Sequence, residues 1–228
     1  MRNEDPKVRD VATSTTNSVA RQGADSFLAG QFRLPTGLVG RVTGWWMARG
    51  NKAMNGFAVQ RLKVGMRDRV LEVGFGPGQA IEFLVKRTAA HFIAGVDPSP
   101  VMVEQAQSRN RDAIDGGRVW LAQGTADALP FGEDEFSRAL AVNNFHIWES
   151  REGGLAELRR VLCDGGLLLL CLRRAARERR FWSSPGLTPE EVCDDQALLR
   201  QLGFSKLQLA TRTLGCFGPR VVCLLATK

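Results

Sequence analysis

Two acids and one base stand where chemistry is possible. Glu72 precedes a run in which glycine takes every second position: Gly74, Gly76 and Gly78. Asp97 follows about twenty residues later, at the end of the apolar run Phe92 to Val96. His146 is one of only 2 histidines, and it follows the apolar run Ser137 to Val142 and the pair Asn143-Asn144. Glycine admits a positive φ and lets a ligand lie against the backbone without a Cβ in the way. A carboxylate such as Asp97, one strand further on, accepts hydrogen bonds from the two hydroxyls of a ribose. An imidazole titrates near neutrality and can take a proton from an acceptor. Together these residues point to a nucleoside held on a bare turn, with a proton acceptor nearby.

Two ligand classes use such a turn. A dinucleotide wants Gly-x-Gly-x-x-Gly with its pyrophosphate on a helix N-terminus. Here the third glycine of that pattern is replaced by Gln79, and Pro77 removes an N–H that a phosphate would use. The negative charge of Glu72 suits a cationic ligand such as S-adenosylmethionine, which carries a sulfonium and an ammonium. Pro77 itself fits the first turn of a following helix.

The run Glu72-x-Gly74-x-Gly76-x-Gly78 resembles the first motif of class I S-adenosylmethionine-dependent methyltransferases, and the likeness continues downstream. Gly95-Val96-Asp97-Pro98-Ser99 is similar to the second block, which implies ribose binding by Asp97 and packing of Pro98 on the adenine. Gln123 to Phe131 resembles the adenine-edge block. Thr125 stands where relatives often carry Asp, so its contact is an uncharged hydroxyl and therefore weaker. Ala126 would offer a backbone N–H. In this family Asn143 would meet the amino-acid end of the cofactor. Glu157-Leu158-Arg159-Arg160-Val161-Leu162 with Gly165-Gly166 resembles a further signature, with Asp164 in place of its proline. The resemblance covers about residues 65 to 175 and is nearest to the broad type-11-like group of small-molecule methyltransferases. It implies methyl transfer to O, N, S or C of a small acceptor. His146 is the candidate base. Trp45, Phe145, Trp148 and Arg173 are the candidates for contacting the acceptor.

Such residues need a frame. Strands are expected at Arg69–Val73, Phe92–Val96, Val119–Leu121, Ser137–Val142 and Gly166–Leu172, with helices at Gln79–Arg87, Pro100–Asn110 and Gly153–Leu162. The alternation predicts an α/β fold with a parallel sheet. A helix over Thr188–Leu202 and two strands, Lys206–Ala210 and Arg220–Thr227, end the chain. A closing hairpin of this kind matches the Rossmann-like methyltransferase fold, whose seven-stranded sheet has an antiparallel last strand. Leu129 and Phe131 are expected in the core.

Residues 1–26 are polar and are expected to be a flexible arm. Residues 27–64 carry apolar residues at helical spacing and are expected to be a helical lid or a packing layer; 65–228 would be the cofactor-binding domain. The chain has 228 residues, 44% hydrophobic and 24% charged, with a formal net charge of +7. That excess permits RNA as an acceptor, and Arg173, Arg174, Arg177, Arg179 and Arg180 cluster. No added RNA-binding module is visible, so nucleic acid is the weaker reading, beside that of a cofactor-binding module without catalysis. Trp45-Trp46 with Arg41 and Arg49 could instead touch a membrane surface, the weaker reading of that segment. No apolar run reaches the roughly 18 residues of a transmembrane helix. The 5 cysteines form no C-x-x-C pair and read as buried free thiols of a cytoplasmic protein, monomeric or homodimeric, with no metal.

Overall fold

The computed structural model describes residues 51–174, 186–215 and 218–228. The expected arm, Trp45, Arg177, Arg179, Arg180 and Cys216 lie outside those residues. The described chain opens in a helix, α1 (51–62). Then follow β1 (Arg69–Val73), α2 (Gln79–Arg87), β2 (Phe92–Asp97), α3 (Pro100–Arg109), the short α4 (Arg111–Asp115) and β3 (Val119–Gln123). β4 (Phe136–Val142), a 3-10 turn (Phe145–Ile147), α5 (Arg151–Val161) and β5 (Leu162–Arg173) come next. α6 (Pro189–Gln201), β6 (Ser205–Thr213) and β7 (Arg220–Thr227) complete it.

The strands form one 7-stranded sheet in the order β3-β2-β1-β4-β5-β7-β6. β1 to β5 pair in parallel, while β7 is antiparallel to both β5 and β6. This is the expected Rossmann-like methyltransferase architecture. The order reverses between β1 and β4, and that gap at the carboxyl edge is where open α/β sheets bind ligands.

Strand alternation sends successive side chains to opposite faces. Leu71 and Val73 therefore join one core with Phe136, Ala139, Phe145, Leu155 and Leu158 under α5 and α6. Val70 joins the other with Ile81, Leu84, Ile93, Leu140 and Leu169. Residues Met54, Ala58, Val59 and Leu62 of α1 are buried in that second core. The described part of the expected lid thus covers the sheet itself. Leu129 is buried and Phe131 packs against the first core, as expected.

Several expectations shift for local reasons. Pro77 sits in the turn before α2, where the Gly78 N–H donates to the Phe75 carbonyl at 3.0 Å. The helix starts only after left-handed Gly78. α4 has no buried residue, so it carries no apolar periodicity to read. β5 begins at Leu162, before the expected turn, because Leu162 pairs with Phe136 across a register shift. Gly165, at φ 74, makes the bend there. The cysteines divide: Cys171 and Cys223 are buried opposite each other on β5 and β7, Cys163 is half-buried and Cys193 exposed.

Gly78 is the tightest point of the frame. A Cβ there would lie 2.7 Å from the Ala106 Cβ and 2.8 Å from its Cα, on the backbone of α3, at φ +75. The Gly78→Ala variant is expected to lose about 1–2 kcal/mol to left-handed strain and about 1–3 kcal/mol to overpacking. Gly76→Ala, whose Cβ meets nothing within 4 Å at φ +52, should carry the strain alone. Urea unfolding of the two variants checks the order, which a larger loss for Gly76→Ala would reverse.

Candidate active site

The site is built on the turn after β1. Gly74, Gly76 and Gly78 have φ of 72, 52 and 75. The Gly74 N–H donates to the Val96 carbonyl at 2.7 Å, tying the turn to β2. From the end of β2, Asp97 closes the turn. Its Oδ2 accepts the Gly76 N–H at 2.8 Å and its Oδ1 accepts the Ser99 N–H at 2.9 Å. An ionised carboxylate has about four lone-pair sites, so each oxygen keeps capacity for a ligand hydroxyl. Burial pushes the Asp97 carboxyl up to about 6, against the two amides, which favour the anion.

Glu72 lies beneath the turn, 2% exposed. Burial first, then the neighbouring Asp97 charge, raises its carboxyl well above the usual range, and the Ile81 N–H only partly offsets them. Its Oε2 has no hydrogen-bond partner among the described residues. Asn143, left-handed at φ 58, presents a second buried acceptor without a partner there, its Oδ1. Two unmet acceptors and a strained carboxylate beside a bare turn fit a ligand with cationic and N–H donor groups.

The neighbouring Asn144 carries a role that the residue pattern did not suggest. Its Nδ2 donates to the Val73 carbonyl at 2.8 Å and to the Gly74 carbonyl at 2.7 Å. Its Oδ1 accepts the Trp148 Nε1–H at 3.1 Å. A Cβ on Gly74 would sit 2.4 Å from that Nδ2. The signal that could have found it is this glycine, which needs a reason to lack a side chain.

The other candidates are placed as follows. Pro98 and Thr125 are exposed, and Ala126 is half-buried against the core. Phe145 is fully buried and meets Trp148 edge-on, ring centres 5.1 Å apart. It was expected to contact an acceptor. It cannot, because the 3-10 turn after β4 tucks it into the core under α5, so Trp148, half-buried, is left as the accessible ring. Arg173 donates from Nη2 to Asn51 Oδ1 at 3.1 Å, tying β5 to α1. Burial lowers its guanidinium pKa. His146 is half-buried; burial and the Arg151 cation lower its pKa, and Glu191 pulls the other way. Its environment thus favours the neutral imidazole. His91 is exposed.

Because the folded-state pKa of Asp97 is raised from 3.8 to about 6, folding favours its protonated form. Its contribution to stability is intact below pH 4 and is lost as pH rises through 6. The stability of Asp97→Asn minus that of the parent should therefore increase between pH 4 and 6, by on the order of 2–3 kcal/mol, and level off above. Denaturation curves across that window measure it, and a flat difference would remove the assignment.

A family described as a methyltransferase domain matches residues 70–166. The chain is 30% identical over 125 residues to an uncharacterised methyltransferase of Bacillus subtilis, YdaC, covering 55% of this chain and 67% of that protein. It is 30% identical over 115 residues to the ubiquinone/menaquinone biosynthesis C-methyltransferase UbiE of a Geobacter species. That alignment covers 50% of this chain and 49% of the enzyme, so the chain spans about half of that relative's length. Among solved structures, a SAM-dependent methyltransferase from Aquifex aeolicus superimposes with a TM-score of 0.61 at 18% identity, covering 78% of this chain and 92% of that one, a likeness of fold. The protein therefore belongs to the class I S-adenosylmethionine-dependent methyltransferases and is an enzyme that uses S-adenosyl-L-methionine as cofactor.

Proposed function

We propose that this methyltransferase acts on a small-molecule acceptor seated above the carboxyl ends of β4 and β5. The observation that carries the reading is the exit of β4. There Asn143, His146 and Trp148 follow one another within six residues, beside the turn after β1. Relatives support a small acceptor. Besides the quinone-pathway enzyme above, a rice 2-methyl-6-phytyl-1,4-hydroquinone methyltransferase is 34% identical over 99 residues, which are 43% of this chain and 27% of that protein.

When bound, the cofactor supplies a methyl group on a positively charged sulfur. The chain's own residues do the rest. Asp97 holds the ribose hydroxyls with lone pairs left over from Gly76 and Ser99. Pro98, Thr125 and Ala126 take the adenine, Thr125 by its hydroxyl and Ala126 by its N–H. The Asn143 Oδ1 accepts from the ammonium end. Glu72, buried with no counter-charge among the described residues, regains its ionised form beside a cationic ligand and so favours binding of one. Rate enhancement comes from positioning and from exclusion of water, with His146 taking the acceptor proton.

Calorimetry with S-adenosylhomocysteine tests the cofactor half. Asp97→Ala removes two charge-assisted hydrogen bonds worth about 1.5–3 kcal/mol each, so affinity should fall at least tenfold while circular dichroism stays unchanged. Unchanged affinity sinks the ribose assignment. Transfer of labelled methyl to RNA, and to none of a pool of small acceptors, sinks the acceptor class.

A further inference from the structure

Four ionisable side chains meet beside the acceptor end of the site, and the cofactor accounts for none of them. His146 lies on the 3-10 turn after β4 and Arg151 opens α5. Glu191 and Asp195 come from the first two turns of α6. Leu187, just before α6, donates its N–H to the Arg173 carbonyl at 2.8 Å and so ties the start of α6 to the carboxyl end of β5. The topology thus gathers all four at the edge where ligands bind.

Their arrangement is specific. The Asp195 carboxylate is 1% exposed and reaches the Arg151 Nη1 at 3.3 Å. Arg151 also lies over the Phe145 ring, 5.5 Å from its centre. Its guanidinium is therefore held from two sides, while the side chain as a whole stays a third exposed. Glu191 is fixed in a capping box, its Oε2 accepting the Thr188 N–H at 2.8 Å. Trp148 supplies a flat apolar wall next to this group.

We propose that His146 and Arg151, with Asp195 as the positioning residue for Arg151, form an acceptor site for an aromatic hydroxyl compound of the phenol or hydroquinol class. This rests on the small-molecule reading above and narrows it. An imidazole is a poor base for an aliphatic alcohol. A hydroxyl with a pKa near that of water, about 16, lies roughly nine powers of ten beyond its reach. A phenol near 10, as in tyrosine, lies only about four away. A guanidinium beside the oxygen closes that gap further and favours a hard, planar oxygen anion over sulfur. An amine acceptor needs no such cation and would be repelled by it if protonated.

The step balances. The hydroxyl proton passes to His146, whose new charge faces Glu191. The phenolate oxygen, or the ring carbon it activates, bonds to the methyl carbon. The carbon–sulfur bond breaks with its electron pair going to sulfur, leaving the neutral thioether. Arg151 is paired with Asp195 before and after, so the site does not change its other charges.

The test uses the full chain with labelled S-adenosylmethionine and matched panels of hydroquinones and catechols, anilines and alkylamines, thiols, and aliphatic alcohols. Transfer to the hydroxyarenes should exceed the other classes at least tenfold in kcat/KM. Arg151→Gln should lower that value tenfold or more, with S-adenosylhomocysteine affinity within twofold of the parent, and Arg151→Lys should recover part of it. The rate should rise with pH through a limb below 6.5 that reports His146. Arg151→Gln should move that limb upward, since the cation depressing His146 is gone while Glu191 remains. Preference for amines or thiols overturns the proposal, as does an Arg151→Gln variant with unaltered rate and limb. Binding of S-adenosylhomocysteine without transfer to any hydroxyarene overturns it and leaves the cofactor reading standing; absence of that binding overturns both.

Discussion

The structure depends on how the turn after β1 is gripped. Three left-handed glycines do not hold a shape by themselves, because glycine has the largest backbone freedom to lose. Here two side chains hold them from opposite sides. The Asp97 carboxylate, from β2, takes the Gly76 N–H, and the Asn144 amide, from beyond β4, takes the Val73 and Gly74 carbonyls. β1 lies between those two strands. The grip therefore closes across the point where strand order reverses, and the crevice has a defined floor before any ligand enters. The same amide ties down Trp148 through its Oδ1, so the glycine turn and the Trp148 ring share one anchoring residue.

Electrostatically the two halves of the site are opposite in kind. On the cofactor side, Glu72 and Asp97 are both buried, burial raises each carboxyl, and the Asp97 charge raises Glu72 further. Such a pair destabilises the empty protein at neutral pH, and a cationic ligand offsets that cost. On the acceptor side the buried carboxylate does have a partner. Asp195 meets Arg151, though burial still lifts its carboxyl to about 6. Breaking a buried pair on one side leaves an uncompensated charge, which makes this pair a rigid fixture of the site. A methyl donor that sheds its positive charge during reaction and an acceptor that sheds a proton suit these two environments respectively.

Much of this was legible in the residues. The apolar runs and helical patterns place every strand and the longer helices within a few positions, because parallel strands buried on both faces read as continuous apolar runs. The glycine spacing and the acid after the second strand carry the family resemblance that implies the cofactor, and a bare backbone with a carboxylate at that distance suits a nucleoside. Three things were not legible. Phe145 looked like a contact residue because sequence shows its type and its neighbours but not the direction of a tight 3-10 turn. Asn144 looked like the second half of a pair with Asn143. Only the pairing of β1 with β4 sets its amide against carbonyls 70 and 71 positions earlier. Arg151 and Asp195, 44 positions apart, belong to helices that approach only because α6 follows β5 at the same sheet edge.

The sequence by itself thus determined the architecture and the cofactor. Those rest on local geometry and on short spacings along a single strand–turn–helix unit. The tertiary structure alone decided which polar groups are satisfied, which acids are strained and which rings are buried. Those properties come from burial and from contacts between segments far apart in the chain, and a linear pattern carries neither.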